Sequence, residues 1–114
     1  MSDSQALPPR IRHFLATSPH EALPVTYRQL AETLGLRPPR TIQRVTQALE
    51  TLMREDAQHG RPFIAALVVS RRGEGLPAQG FFDLAVVLGR FSPDPAKHAE
   101  AYRREYEQAI RAYR

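Results

Sequence analysis

Thr26-Tyr27-Arg28-Gln29-Leu30-Ala31, then Leu34-Gly35-Leu36-Arg37-Pro38-Pro39, then Arg40-Thr41-Ile42-Gln43-Arg44-Val45-Thr46-Gln47-Ala48-Leu49: these neighbouring stretches decide how the chain folds. Thr26 and Gln29 stand at capping-box spacing, in which hydroxyl and amide satisfy free N–H groups at a helix start. Leu30, Ala31 and Leu34 follow on one face. Gly35 tolerates the left-handed conformation that ends a helix, and Pro38-Pro39 suits a sharp turn into the next one. A second helix is expected from about residue 39 to residue 58, because Ile42, Val45, Leu49, Leu52 and Met53 recur at steps of three and four. Opposite that stripe lie Arg40, Arg44, Gln47 and Thr51, with Arg54 at the margin. This face carries no carboxylate until Glu50. Arginine and glutamine are the side chains that make forked hydrogen bonds to guanine and adenine edges. Two helices meeting at a bend, the second bearing such a face, read as a helix-turn-helix over residues 26–58. For the second helix taken alone, the plainer reading is an amphipathic helix with a solvated face.

Beyond it, His59-Gly60-Arg61-Pro62 breaks the helical pattern. Residues 63–70 form a near-continuous apolar run, rich in β-branched and aromatic side chains, and are expected to be a buried strand. Arg71-Arg72-Gly73-Glu74-Gly75-Leu76-Pro77 then places two cations on a glycine-containing loop. Beside a recognition helix such a loop is a wing able to reach phosphate; by itself it is equally a plain basic turn. Strand and wing together span residues 62–77. Phe81, Phe82, Leu84, Ala85 and Leu88 return to helical spacing before Gly89, and Ser92-Pro93-Asp94-Pro95 signals the start of a last helix. In that helix Ala99, Tyr102, Tyr106, Ala109, Ile110 and Tyr113 make a stripe that needs a partner, either this domain or a second copy of the chain. On the N-terminal side, Pro8-Pro9 opens a support helix with Ile11, Phe14 and Leu15 on its apolar face, stopped by Ser18-Pro19. Leu23 and Val25, in the following connection, are expected to pin it to the core beside Leu30.

With 114 residues the chain has room for one core and so for one domain, residues 1–114, with helices over 80–113 as a C-terminal extension. Apolar content of 42% and charged content of 25% are ordinary for a globular protein. No apolar run approaches the ~20 residues that span a bilayer, and residues 1–5 lack a leader's basic start and apolar stretch. A cytoplasmic location is the expectation, with no membrane partner. There are no cysteines, which excludes disulfides, thiolate catalysis and cysteine-held zinc. The net charge of +4 comes almost wholly from arginine, a bias suited to phosphate and bases that also arises from genomic base composition. It supports a nucleic-acid partner without establishing one.

Other chemistry finds little footing. His13, His20, His59 and His98 have no spacing that puts two on one helix face, so no metal is expected. Glu55-Asp56 and the remaining carboxylates form no evident catalytic pair, no glycine loop has the phosphate-cradling pattern, and Ser2, Ser4, Ser18, Ser70 and Ser92 lack a nucleophile signature. The expectation is a protein that is not an enzyme and needs no cofactor.

Residues 25–89 carry a family resemblance. Val25-Thr26-Tyr27-Arg28-Gln29-Leu30-Ala31, Gly35, Val45-Thr46-Gln47-Ala48-Leu49, and Pro62 ahead of Val68-Val69 resemble the DNA-binding half of O6-alkylguanine-DNA alkyltransferases and alkyltransferase-like proteins. The resemblance covers somewhat over half of the chain. It implies a winged helix that binds the minor groove and flips a damaged base, with a tyrosine-bearing helix, an arginine finger and a proline-cysteine-histidine-arginine segment. Tyr27 matches the tyrosine. Phe63 stands where the nucleophilic cysteine would be, followed by Ile64 and Ala65 instead of histidine and arginine, so the alkyl-transfer chemistry is missing. The finger position falls on Gln43, with Arg44 one place away and Arg40 a turn earlier. Residues 75–82 are also similar to a turn of bacterial winged-helix proteins.

The fold expected is therefore mainly α (α+β): a winged helix-turn-helix with a short strand and wing and a C-terminal helical extension. The function expected is non-enzymatic binding of double-stranded DNA, of a transcriptional-regulator kind. Arg40, Gln43, Arg44 and Gln47 would make groove contacts, Tyr27 and Thr41 backbone contacts, and Arg71 and Arg72 the wing. Two alternatives stand beside it: an alkyltransferase-like damage sensor without transferase activity, and a protein-interaction module, including a homodimer, built on the C-terminal helix.

Overall fold

The computed structural model describes residues 6–72 and 74–113; residues 1–5, which include Ser2, Ser4 and the stretch expected not to be a leader, Gly73 of the basic loop, and Arg114 lie outside the described residues. Five helices and one small parallel sheet make a mainly helical α+β architecture. Helix α1 is Leu7–Thr17, α2 is Tyr27–Thr33, α3 is Thr41–Gln58, α4 is Gln79–Val87 and α5 is His98–Ala112. Strands β1 (Val25–Thr26) and β2 (Val68–Val69) pair in parallel, Val25 against Val68 and Thr26 against Val69. Among the described residues no helix is long and apolar enough to cross a membrane.

Helices α2 and α3 and the turn between them form for the reasons their residues suggest. Thr26 Oγ1 accepts the Gln29 N–H at 3.1 Å and Gln29 Oε1 accepts the Thr26 N–H at 2.9 Å, a closed capping box. Gly35 has φ +71°, and the Leu36 N–H returns to the Ala31 carbonyl at 3.1 Å, so the chain leaves α2 through a left-handed residue. Helix α3 begins later than expected: Pro39 is not helical, and Arg40 sits ahead of the first turn at φ 60° and ψ 31° with no side-chain cap. Val45, Ala48, Leu49, Leu52 and Met53 face inward. Ile42 does not join them; at 44% exposure it stands outside the core, because the turn before α3 supplies nothing to cover the helix's first residues.

The run 63–70 is buried as expected but is mostly not a strand. Residues Ile64–Leu67 form a 3-10 turn and only Val68–Val69 is extended and paired. The cause lies in its hydrogen bonds. The Phe63 N–H is taken by Glu105 Oε2 at 2.7 Å and the Ile64 N–H by Asp56 Oδ2 at 3.0 Å, while β1 offers only two residues to pair with. Both carboxylates are buried and both are paired. Asp56 faces Arg12 at 2.9 Å and Arg61 at 3.0 Å, and Glu105 faces Arg90 at 2.6 Å. Buried charge survives only with such partners. Arg90 also lies 4.2 Å above the Phe63 ring.

The C-terminal stripe packs on its own domain. Tyr102 and Ala109 are buried, the Tyr102 hydroxyl donates to the Ala66 carbonyl at 2.7 Å, and the Tyr113 hydroxyl donates to the Pro62 carbonyl at 2.9 Å. Tyr106, Ile110 and Tyr113 are half-buried against the same core, whereas Ala99, expected in the stripe, is exposed. Phe63, Phe81, Phe82, Phe91 and Tyr102 meet edge to face or tilted at ring separations of 5.4–6.3 Å, the arrangement aromatic quadrupoles favour.

Candidate functional site

Helix α3 stands as a ridge between two open grooves. On one side Arg44, Gln47 and Thr51 of α3 face Leu7, Pro8 and Arg10 of α1 and the turn at residues 34–36 across about 910 Å3. On the other, Thr41 and Ile42 face Thr26, Tyr27 and Arg28 of β1 and α2, and Ser70, Arg71 and Arg72 beyond β2, across about 700 Å3. Arg40 and Gln43 are exposed at the start of the ridge. Tyr27, Thr41, Arg71 and Arg72 are thus brought to one groove, and Arg44 and Gln47 to the other.

The loop carrying Arg71 and Arg72 is tied at its base. The Ser70 N–H donates to the Leu76 carbonyl at 2.8 Å, and Ser70 Oγ accepts the Arg72 N–H at 3.3 Å. Both arginines are exposed. Arg44 Nη1 donates to the Arg37 carbonyl at 3.1 Å, which leans the side chain over the turn and engages one of the guanidinium's five N–H groups. Tyr27 has a structural duty: its hydroxyl accepts the Ala78 N–H at 2.9 Å, joining α2 to the segment that starts α4. Burial pushes its pKa above the usual phenol value, partly opposed by that hydrogen bond, so it is neutral at physiological pH.

The arginines divide into two sets. Arg12, Arg28, Arg61, Arg90 and Arg104 each have a carboxylate partner. Among the described residues, no carboxylate oxygen lies within 4.0 Å of a guanidinium nitrogen of Arg37, Arg40, Arg44, Arg54, Arg71 or Arg72. Arg10, Arg103 and Arg111 likewise lack one, so six of the nine such arginines among the described residues belong to the turn, α3 or the basic loop. Uncompensated charge is concentrated along the ridge and its flanks, with the remainder on α1 and α5. Arg37 and Ser70 were missed by sequence reasoning; Arg37 precedes two prolines in what reads as a plain turn, and Ser70 closes an apolar run. Arg28 pairs with Glu32 at 3.6 Å, the i,i+4 spacing of a surface ion pair.

Where Tyr27 meets the core, little space is left. The cavity bounded by Tyr27, Thr46, Leu49, Met53, Ala65 and Phe81 measures about 20 Å3, comparable to the room needed by one water and far short of a nucleobase. Phe63 itself is wholly buried. Among the described residues, no group of three His, Asp or Glu side chains gathers where a metal ion would sit.

No protein-family model matches this chain, and neither a curated protein nor a solved structure gives a match to it.

Proposed function

We propose that this chain is a non-enzymatic, cytoplasmic DNA-binding protein of winged helix-turn-helix type, acting on duplex DNA in the manner of a transcriptional regulator. The observation that carries the reading is the clustering along α3 and its flanks of six of the nine described arginines without carboxylate partners, Arg37, Arg40, Arg44, Arg54, Arg71 and Arg72. Six left open around one polar helix face suit a polyanion, and Gln43 and Gln47 add donor-acceptor pairs able to read adenine.

The damage-sensor reading draws less support. Base flipping needs a receiving pocket as well as a wedge; the cavity where Tyr27 meets the core is about 20 Å3, the larger space on its other side is an open groove, and Phe63 is wholly buried at the position of the family's cysteine. The interaction-module reading loses its motive too, since the C-terminal stripe is covered by this chain's own core.

Binding to a short mixed-sequence duplex as a function of salt tests the proposal. If all six arginines meet phosphate, log K should fall against log salt with a slope of about −5. Replacing Arg40 and Arg44 with alanine should flatten that slope by about 2 and leave the thermal midpoint close to the parent's, because both side chains are exposed. Parent-like binding by the double variant at physiological salt would reject α3 as the recognition helix.

A further inference from the structure

Among the described residues only Ile42 and Val87 are large apolar side chains with substantial exposure, and they differ in setting. Val87 ends α4, where single exposed aliphatics need no explanation. Ile42 is the second residue of α3, standing between exposed Arg40 and Gln43 and opening onto the groove whose far wall is Arg71 and Arg72. Its carbonyl accepts the Thr46 hydroxyl at 2.9 Å within the first turn of α3.

Taking duplex DNA as the partner, a reading on which this step rests, we infer that Ile42 is a specificity residue that contacts the 5-methyl group of thymine. Recognition helices in helix-turn-helix proteins present their N-terminal residues to base edges in the major groove. At those edges the one aliphatic group is the thymine methyl. An isoleucine offers no hydrogen bond to any base, so among arginines and glutamines that read polar edges its complement is that methyl. The uncompensated cations on both sides of it hold the backbone strands close enough for the contact. Arg71 and Arg72 face it across one groove, and Arg44 lines the groove on the other side of α3.

Selection from a random-sequence duplex library with the parent protein, followed by replacement of each enriched thymine by deoxyuridine, tests this directly. The expected result is one position where uridine weakens binding about fourfold, the equivalent of ~0.8 kcal/mol for one buried carbon. Ile42→Ala should bind the thymine and uridine duplexes equally, with unchanged salt slope and melting temperature. If uridine is neutral at every position while binding stays salt-dependent, the inference fails and the proposed function stands. If instead the parent kinks the duplex and Ile42→Ala does not, Ile42 is a minor-groove wedge and the thymine assignment is wrong. Absence of salt-dependent duplex binding overturns both.

Discussion

Replacing Arg40 with glycine should strengthen the fold and weaken the proposed binding to DNA. Arg40 occupies φ 60° and ψ 31°, the left-handed region, at the mouth of an 18-residue helix. For an L-residue with a Cβ that conformation costs about 1–2 kcal/mol. A cation at the positive end of a helix dipole adds about 0.3–1 kcal/mol. Glycine removes both costs and returns about 0.5–1 kcal/mol as extra entropy lost on folding. The side chain is exposed, so little packing is given up. The net is a gain of about 1 kcal/mol, which for a chain of this length is about 4 °C in melting temperature. Binding should move the other way, with the salt slope falling by about 0.9 for the lost phosphate contact. Urea and thermal unfolding beside salt-titrated binding measure both. A destabilised Arg40→Gly variant would refute the strain argument, and one that is stabilised yet binds normally would refute the assignment of Arg40 to the interface.

Other outcomes follow from the same structure. Truncation after Gly89 should abolish cooperative unfolding rather than release a folded monomer, because it strips Glu105 from the Phe63 N–H and Tyr102 from the Ala66 carbonyl; circular dichroism of the truncated chain decides it. Asp56→Ala should cost about 2–3 kcal/mol, chiefly by leaving the buried Ile64 N–H without its acceptor and Arg61 without its carboxylate while Arg12 keeps Glu55, seen as a drop in urea midpoint. Thr26→Ala should cost about 1 kcal/mol through the lost cap of α2. All four tyrosines have pKa values pushed up, chiefly by burial, so the folded state holds its phenolic protons more tightly than the unfolded chain. That contribution is fully present below the unfolded value near 10 and is lost as pH rises through the folded values. Stability should therefore fall above about pH 10, with tyrosinate absorbance appearing together with unfolding.

The parts of the fold legible in sequence are those governed by local rules. The capping box at Thr26 and Gln29, the left-handed exit at Gly35 and the inward stripe of α3 depend on residues three or four apart, and each is present. The misreadings share another origin. Residues 63–70 have strand composition, yet two carboxylates from α3 and α5 claim the N–H groups of Phe63 and Ile64 and bend the run into a 3-10 turn. Nothing near residue 63 announces Asp56 or Glu105, which in sequence look like solvated helix charges. Pro39 suits a helix start, but the chain turns through Arg40 instead and α3 begins at Thr41. Ile42 obeys the apolar period and is still exposed, since periodicity cannot tell where a helix outruns the core beneath it. Of the candidate site, the polar face of α3 was evident from spacing alone. That Tyr27 would serve Ala78 was not, because the partner lies in another element.

The parallel pairing of β1 with β2 bears on how the protein is made. Val25 and Val68 lie roughly forty residues apart, and α2, α3 and the turn joining them make up the loop between them. Bringing the loop ends together costs about 3 kcal/mol of chain entropy, and two residue pairs of sheet offset that only with help from the packed segment 63–67. That segment is itself held from α5 by Glu105 and Tyr102. During synthesis, α2 and α3 therefore leave the ribosome well before the contacts that fix their crossing exist. A nascent chain stalled short of α5 would carry every side chain of the ridge and no fixed ridge, so competence for the partner should arrive in one step once that last helix has emerged.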